Sequence, residues 1–458
     1  MYTIPVHNPS NGTVVKNINA STEQQIHEAY AKAKLKQPSW GGMPVQERID
    51  IIKTFAALLE KHKDALAKDL TTETGKPLQQ SYNELKGALH RIRYFTDHAA
   101  RYLADEKLFE GNGMEEILSY EPLGLVANIS AWNYPYLVGV NVWIPALLAG
   151  NAVLYKPSEY ALLTGLHVTK LMHEAGVPND VFACIIGDGS AGKALIDLPL
   201  DGYFFTGSYG TGQTIKKALA DKMVPVQLEL GGKDPLYVMD DVADIQKTAE
   251  AVLEGIMYNA GQSCCAVERV YVQEGVYDQF VTAIKEEAEK IQTGEPMQPG
   301  IGLGPICREA QLQVLQQQVE DAIHKGAYVV YRQPAIPEKG YYFPLTLLAD
   351  TNHSMTLMME ESFGPVCGIQ KVRDDEEALK LMCDTEYGLT AAVYGTDIQR
   401  AEKIMHAINT GTVYFNCCDR VSPYAPWSGR GHSGVGHTLS YHGIRAFTKM
   451  KAWHWRKG

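Results

Sequence analysis

The chain has 458 residues, 45% hydrophobic and 21% charged, with a formal net charge of −11. Its length exceeds one ordinary core and predicts two or three domains. An acidic balance without a Lys/Arg-dense run argues against nucleic acid or an anionic membrane as the main partner.

Residues 1 to 20 read as an extended lead-in with turns at Asn8-Pro9 and Asn11-Gly12; no basic segment followed by an apolar run marks a signal peptide. Ser21/Thr22 caps a helix to about Lys36. A second helix runs from about Pro44 to Leu70, with Ile49, Ile52, Phe55, Leu59 and Leu66 at a 3.6 period. Gly75-Lys76-Pro77 breaks it and starts a third helix to about Ala104. From Pro122 to Tyr155 there is no Asp, Glu, Lys or Arg. A membrane span needs about 20 predominantly apolar residues; here three prolines and recurrent Asn and Ser point to buried α/β structure.

Short apolar runs then alternate with helical stretches. Strands are expected at Leu125 to Ile129, Ala152 to Tyr155, Val181 to Ile186, Tyr203 to Phe205 and Val226 to Leu230. Helices are expected at Pro135 to Leu148, Glu159 to Ala175, Ala191 to Leu195 and Gly210 to Ala220. This alternation indicates a parallel sheet covered on both faces. A second series starts after Gly231-Gly232, which places a domain boundary near Gly231. Two glycine-rich loops follow strands. Gly187 to Gly192 spells G-x-G-x-x-G but lacks the acidic residue expected about 20 positions on. Gly207-Ser208-Tyr209-Gly210-Thr211-Gly212 also opens a helix and suits a pyrophosphate. Plain turn chemistry accounts for the first loop at least as well.

The eight cysteines show no Cys-x-x-Cys pair and no zinc spacing, so they read as reduced thiols of a cytoplasmic protein with no metal site. Two of them, Cys264 and Cys265, sit on the small-residue loop Gly261 to Ala266. Alone, that loop favours packing cysteines. Trp132-Asn133-Tyr134-Pro135, Leu228 to Lys233, Gly261-Gln262-Ser263-Cys264 and Glu360 to Pro365 must be read together with Lys156-Pro157-Ser158-Glu159 and Phe205-Thr206-Gly207-Ser208. In order and approximate spacing these six stretches resemble the NAD(P)-dependent aldehyde dehydrogenase superfamily, over essentially the whole chain.

The resemblance implies an α/β fold: a Rossmann-like NAD-binding domain (1–107 and 122–231), an α/β catalytic domain (232–435) and a small oligomerisation arm (108–121 and 436–458) that makes a homodimer or homotetramer. It implies Cys264 as nucleophile, Asn133 with the Cys264 backbone N–H as oxyanion donors, and Glu229 as the base that hydrolyses the thioester. Lys156, Ser158, Glu159, Gly207, Ser208, Gly212, Leu230, Glu361, Phe363 and Trp132 match cofactor positions. Glu159 at the ribose hydroxyls would repel a 2′-phosphate and so points to NAD over NADP. Trp132, Tyr136, Val138, Asn141, Tyr258, Ser263, Cys265, Arg420 and Trp427 match the substrate tunnel. Departures are Gly431 where many relatives carry Lys, and Ala131 where they carry Pro.

Arg420 favours a carboxylated aldehyde such as succinate semialdehyde, whereas the aromatics favour betaine aldehyde or an aminoaldehyde; the expectation leans to the former or to a small aliphatic aldehyde. Other classes fit less well. A cysteine hydrolase needs a His base, and none of the 14 His has a catalytic context. A CoA-acylating enzyme usually lacks the hydrolytic Glu, and a non-catalytic structural protein of this fold would be expected to have lost Cys264, Asn133 or Glu229.

Overall fold

Alternating apolar runs with no polar face need cover on both sides, and each series forms its own sheet. The computed structural model describes residues 2–456; Met1, Lys457 and Gly458, the ends of the expected first domain and arm, lie outside the described residues. The first sheet has six strands in the order Gly434–Val435, Val226–Glu229, Gly202–Thr206, Leu125–Ile129, Ala152–Lys156 and Phe182–Cys184. All pair in parallel except Gly434–Val435, which runs antiparallel to Val226–Glu229 with Gly434 opposite Glu229. The run expected from Val181 to Ile186 shortens to Phe182–Cys184, because as an edge strand it has only one partner.

The second sheet has seven strands: Tyr328–Arg332, Thr346–Ala349, Val366–Val372, Val267–Gln273, Asp234–Val238, Thr390–Tyr394 and Thr412–Phe415. Only Tyr328–Arg332 is antiparallel to its neighbour. Separate apolar clusters surround the two sheets. A third, antiparallel sheet orders Thr448–Arg456, Met114–Pro122 and Glu106–Gly111. Residues 436–447 do not join it; Phe447 is buried and stacks on Phe204 of the first sheet, ring centroids 4.2 Å apart.

Thr22 caps Glu23–Gly41 with a capping box through Gln25. This helix continues past Lys36 because Trp40, 1% exposed, is drawn into the core and donates its indole N–H to Leu147 O at 3.0 Å. The helix Val45–Thr74 ends at Gly75 (φ 78°), a left-handed cap that suits glycine. Leu78–Tyr102 follows and packs on Pro135–Leu148, whose start carries the Asn133 turn. Among the described residues no helix is long and apolar enough to cross a membrane.

Candidate active site

The helix Ile245–Met257 ends in a turn, Tyr258–Gly261, that folds back into the cysteine loop. Asn259 (φ 55°), Ala260 (φ 55°) and Gly261 (φ 70°) are all left-handed. Asn tolerates this region, but for Ala it costs about 1–2 kcal/mol, so the surroundings must enforce it. They do so through side chains: Gln80 Oε1 accepts the Asn259 N–H at 3.0 Å, and Gln262 Nε2 donates to Asn259 O at 3.0 Å. A Cβ on Gly261 would lie 2.2 Å from Gly364 O. Gly261→Ala is therefore expected to separate the cysteine loop from the 360s loop and to lower kcat/KM by about 100-fold, the scale of a 1 Å misplacement; steady-state kinetics on folded protein checks this.

Cys264 is half-buried, while Cys265 is 3% exposed. The Cys265 thiol donates to Asp419 Oδ1 at 2.9 Å. Its hydrogen bond with Cys264 and its burial hold its pKa well above that of a free thiol, so Cys265 stays protonated. Asn133, 5% exposed, lies across from the loop and donates Nδ2–H to Gln262 O at 3.1 Å. Glu229 ends its strand buried, and burial raises its pKa to about 8, against hydrogen bonds from Gln227 (Nε2 to Oε1, 3.3 Å) and Trp427. A carboxyl with that pKa titrates where a general base is useful.

On the other side of the loop, Glu361 Oε1 accepts the Gly232 N–H at 3.1 Å, and burial raises Glu361 to about 8. A Cβ on Gly232 would lie 2.6 Å from Cys264 O, too close to carry a side chain unless the loop moved, and one on Gly231 would displace the Glu361 carboxylate. The buried Lys233–Glu268 pair anchors the 360s loop, with Glu268 accepting the Ser362 and Phe363 N–H groups at 2.9 Å each. Phe363 meets Trp132 edge-on, with ring centroids 5.6 Å apart. Trp132 thus belongs to this side and does not line the substrate cavity.

The glycine loops differ. Asp188 caps the helix Gly189–Asp197 by accepting Ser190 N–H at 2.9 Å, so the first loop closes on itself as a turn. Ser208 makes no capping bond to the helix Tyr209–Ala218, which leaves that N-terminus free for an anion. Leu230 packs where a Cβ on Gly212 would sit, and Gly207 lies against the Phe205 ring. Two strands away, at the end of Ala152–Lys156, buried Lys156 is 3.6 Å from Glu159, and the Ser158 hydroxyl accepts the Tyr160 N–H at 3.3 Å. Burial lowers the Lys156 pKa.

A cavity of about 620 Å3 opens onto Cys264. Val138, Asn141, Tyr258, Ser263, Cys265, Arg420 and Trp427 line it. Tyr136 does not. It is 0% exposed in the core, because Pro135–Leu148 turns that face towards other helices and not towards the cavity. Tyr134, Arg91, Glu254 and Asp419 also line the cavity and escaped the sequence reading. Asn83, Gly87, His90 and Arg91 share one helix face by spacing, but spacing cannot say what that face meets. Arg91 donates to Leu137 O (2.8 Å) and Asn141 Oδ1 (3.1 Å), and burial lowers its pKa to about 10. Asp419 is raised to about 6 by burial and accepts from Cys265 and, at 3.4 Å, from Ser263, both at Oδ1.

A thiol that opens onto a cavity, an amide bonded to the same loop at Gln262 O, and a buried carboxyl bonded to Trp427 of the cavity wall suit covalent carbonyl chemistry. A family profile described as "Aldehyde dehydrogenase family" matches residues 2–453. The chain belongs to the aldehyde dehydrogenase family. Its class of reaction is therefore the oxidation of aldehydes. Among similar proteins, aminoaldehyde dehydrogenase 1, peroxisomal, of Pisum sativum is 34% identical over 98% of this chain and 91% of its own length. Betaine aldehyde dehydrogenase, chloroplastic, of Beta vulgaris is 32% identical over 98% and 92%. The crystal structure of betaine aldehyde dehydrogenase from Staphylococcus aureus in complex with NAD+ superposes with a TM-score of 0.95 at 29% identity, covering 100% of this chain and 92% of that one.

Proposed function

We propose that the protein oxidises a short cationic aldehyde, an aminoaldehyde or betaine aldehyde, to the acid with NAD, through a thioester on Cys264. The Cys264 thiolate attacks the carbonyl carbon. The resulting oxyanion is met by the Asn133 amide, which has one Nδ2–H free beyond its bond to Gln262 O, and by the Cys264 backbone N–H. NAD, when held by the residues described below, would supply the acceptor for the hydride released from that carbon. Glu229 as carboxylate then takes a proton from the water that hydrolyses the thioester, and the acid is released. Cys265 has no step in this sequence.

The residues present suit NAD. The uncapped N-terminus at Ser208 fits the pyrophosphate; Lys156 and Glu159 fit the adenosine ribose; Glu361 and Phe363 fit the nicotinamide riboside. The first sheet would then carry the cofactor and the second the nucleophile. The three-stranded sheet ends in the edge strand Thr448–Arg456, where Met450 is 73% and Trp455 is 52% exposed; that edge supports assembly as a homodimer or homotetramer.

The observation that carries the substrate class is Asp419. It stands in the cavity beside the nucleophile loop with both hydrogen bonds on Oδ1, leaving Oδ2 for an ammonium. Tyr258 and Trp427 add aromatic rings to the lining, which attract a cation. Arg91 is engaged by Leu137 and Asn141, and Arg420 is exposed. The lean towards succinate semialdehyde is therefore given up in favour of the cationic alternative, which the names of the relatives also support. Asp419→Asn is expected to raise KM for an aminoaldehyde by about 30-fold, the worth of a charge-assisted contact of about 2 kcal/mol, and to leave a neutral aliphatic aldehyde unchanged. A kcat/KM panel of aminoaldehyde, betaine aldehyde, succinate semialdehyde and a neutral aldehyde checks this, and equal values across it would remove the proposal.

A further inference from the structure

We infer that Lys76 and Glu84 are positioning residues for Asn133, acting through its carbonyl and through the start of the helix that follows it. Both side chains are 0% exposed and contact each other. Lys76 Nζ also donates to Asn133 O at 2.8 Å and lies 4.0 Å from the centroid of the Tyr134 ring. Glu84 Oε1 accepts the Tyr136 N–H at 2.9 Å and the Leu137 N–H at 3.4 Å, the first donors of the helix Pro135–Leu148. The pair therefore grips the chain immediately after the Asn133 side chain, at the Asn133 carbonyl and again at the helix start. A third anchor, Asn259 Nδ2, donates to both Asn133 O and Gln262 O at 3.1 Å. This ties the grip to the turn that carries Cys264.

The grip is specific in direction. Asn133 O is saturated by Lys76 and Asn259, so the peptide plane cannot rotate without breaking a charged bond in the interior. One Asn133 N–H is spent on Gln262 O, so the other is aimed by this constraint. A buried ion pair is a poor source of stability, because desolvation offsets its attraction and apolar substitutes often serve as well. Holding a geometry is what charges add here. Neither residue touches the reacting atoms; both act through Asn133, so the inference rests on the oxyanion reading of that residue.

The test is a double-mutant cycle read by single-turnover NADH formation. Lys76→Met and Glu84→Gln are expected to slow this step by about 100-fold in the native background, the scale of a 1 Å misplacement. In an Asn133→Ala background they are expected to slow it by less than about 3-fold, since the group they aim is gone. Aldehyde KM and the NAD Kd, from tryptophan fluorescence, should stay within about 3-fold, a split that general loosening of the fold would not produce. Equal losses in both backgrounds, or no loss from either folded variant, overturn the inference. If Lys76→Met does not fold, Glu84→Gln and the apolar pair Lys76→Met/Glu84→Leu are read in the same cycle with the same criteria. An unchanged rate for Asn133→Ala alone overturns the oxyanion reading itself, a distinguishable result with which this inference also falls.

Discussion

Replacing Cys264 by Ala is expected to lower NADH formation from aldehyde by about 10⁴-fold or more, the scale on which covalent enzymes respond to loss of their nucleophile. The effect is large because no other group can take its step. Cys265 is the nearest thiol, but its proton is held by Asp419 and by burial, and an uncharged thiol is a poor nucleophile. Cys265→Ala is accordingly expected to keep most of the activity. NAD affinity of the Cys264→Ala protein should be unchanged, because Ser208, Lys156 and Glu361 do not depend on the thiol. Steady-state rates, with NAD binding measured alongside, check both halves. Wild-type turnover in Cys264→Ala would remove the covalent mechanism altogether.

Glu229→Gln is expected to separate the two halves of the reaction. NADH should appear as a burst of about one equivalent per site, followed by turnover slowed about 10²–10⁴-fold, the usual contribution of a general base. Rapid mixing with NAD in excess resolves the two phases. In the unmodified protein, deacylation should accelerate as pH rises through about 8, where Glu229 becomes carboxylate, and the variant should lose that dependence. The same group predicts a stability effect of opposite sense. Its folded pKa of about 8 lies above its ordinary value of 4.5. Its contribution to stability is thus full below about 4.5 and is lost as pH rises through about 8. Glu229→Gln should therefore raise Tm relative to the unmodified chain at pH 8 but not at pH 5. A gain independent of pH would mean that the carboxyl is not buried as described.

Some of the neighbouring titrations bear on reading that pH profile. Glu361 is also raised to about 8 by burial, so KM for NAD is expected to carry its own pH dependence.

What was legible in the sequence is what local chemistry specifies. The strand and helix periods, the helix stop at Gly75 and the Thr22 cap are read from local pattern, and the six motifs, through their resemblance to a family, single out Cys264, Asn133 and Glu229 as candidates. The difference between the two glycine loops was only half legible. Both spell a phosphate cradle, but Asp188 fills the first with its own side chain, and that depends on a rotamer.

The tertiary structure alone decided which way faces point and which distant groups meet. The period of Pro135–Leu148 is equally compatible with Tyr136 in the cavity or in the core; packing against the other helices puts it in the core. Asp419, 155 positions after Cys264, enters the cavity because the strand Thr412–Phe415 returns to the edge of the second sheet. Lys76 stands at a helix break and Glu84 within the helix that follows, with no local pattern to say what they meet; helix packing brings both to 0% exposure at the Asn133 turn. The kind of chemistry lies in residue types at fixed local spacing, whereas the proposed substrate charge and the proposed bracing of the site rest on contacts between segments that no local pattern relates.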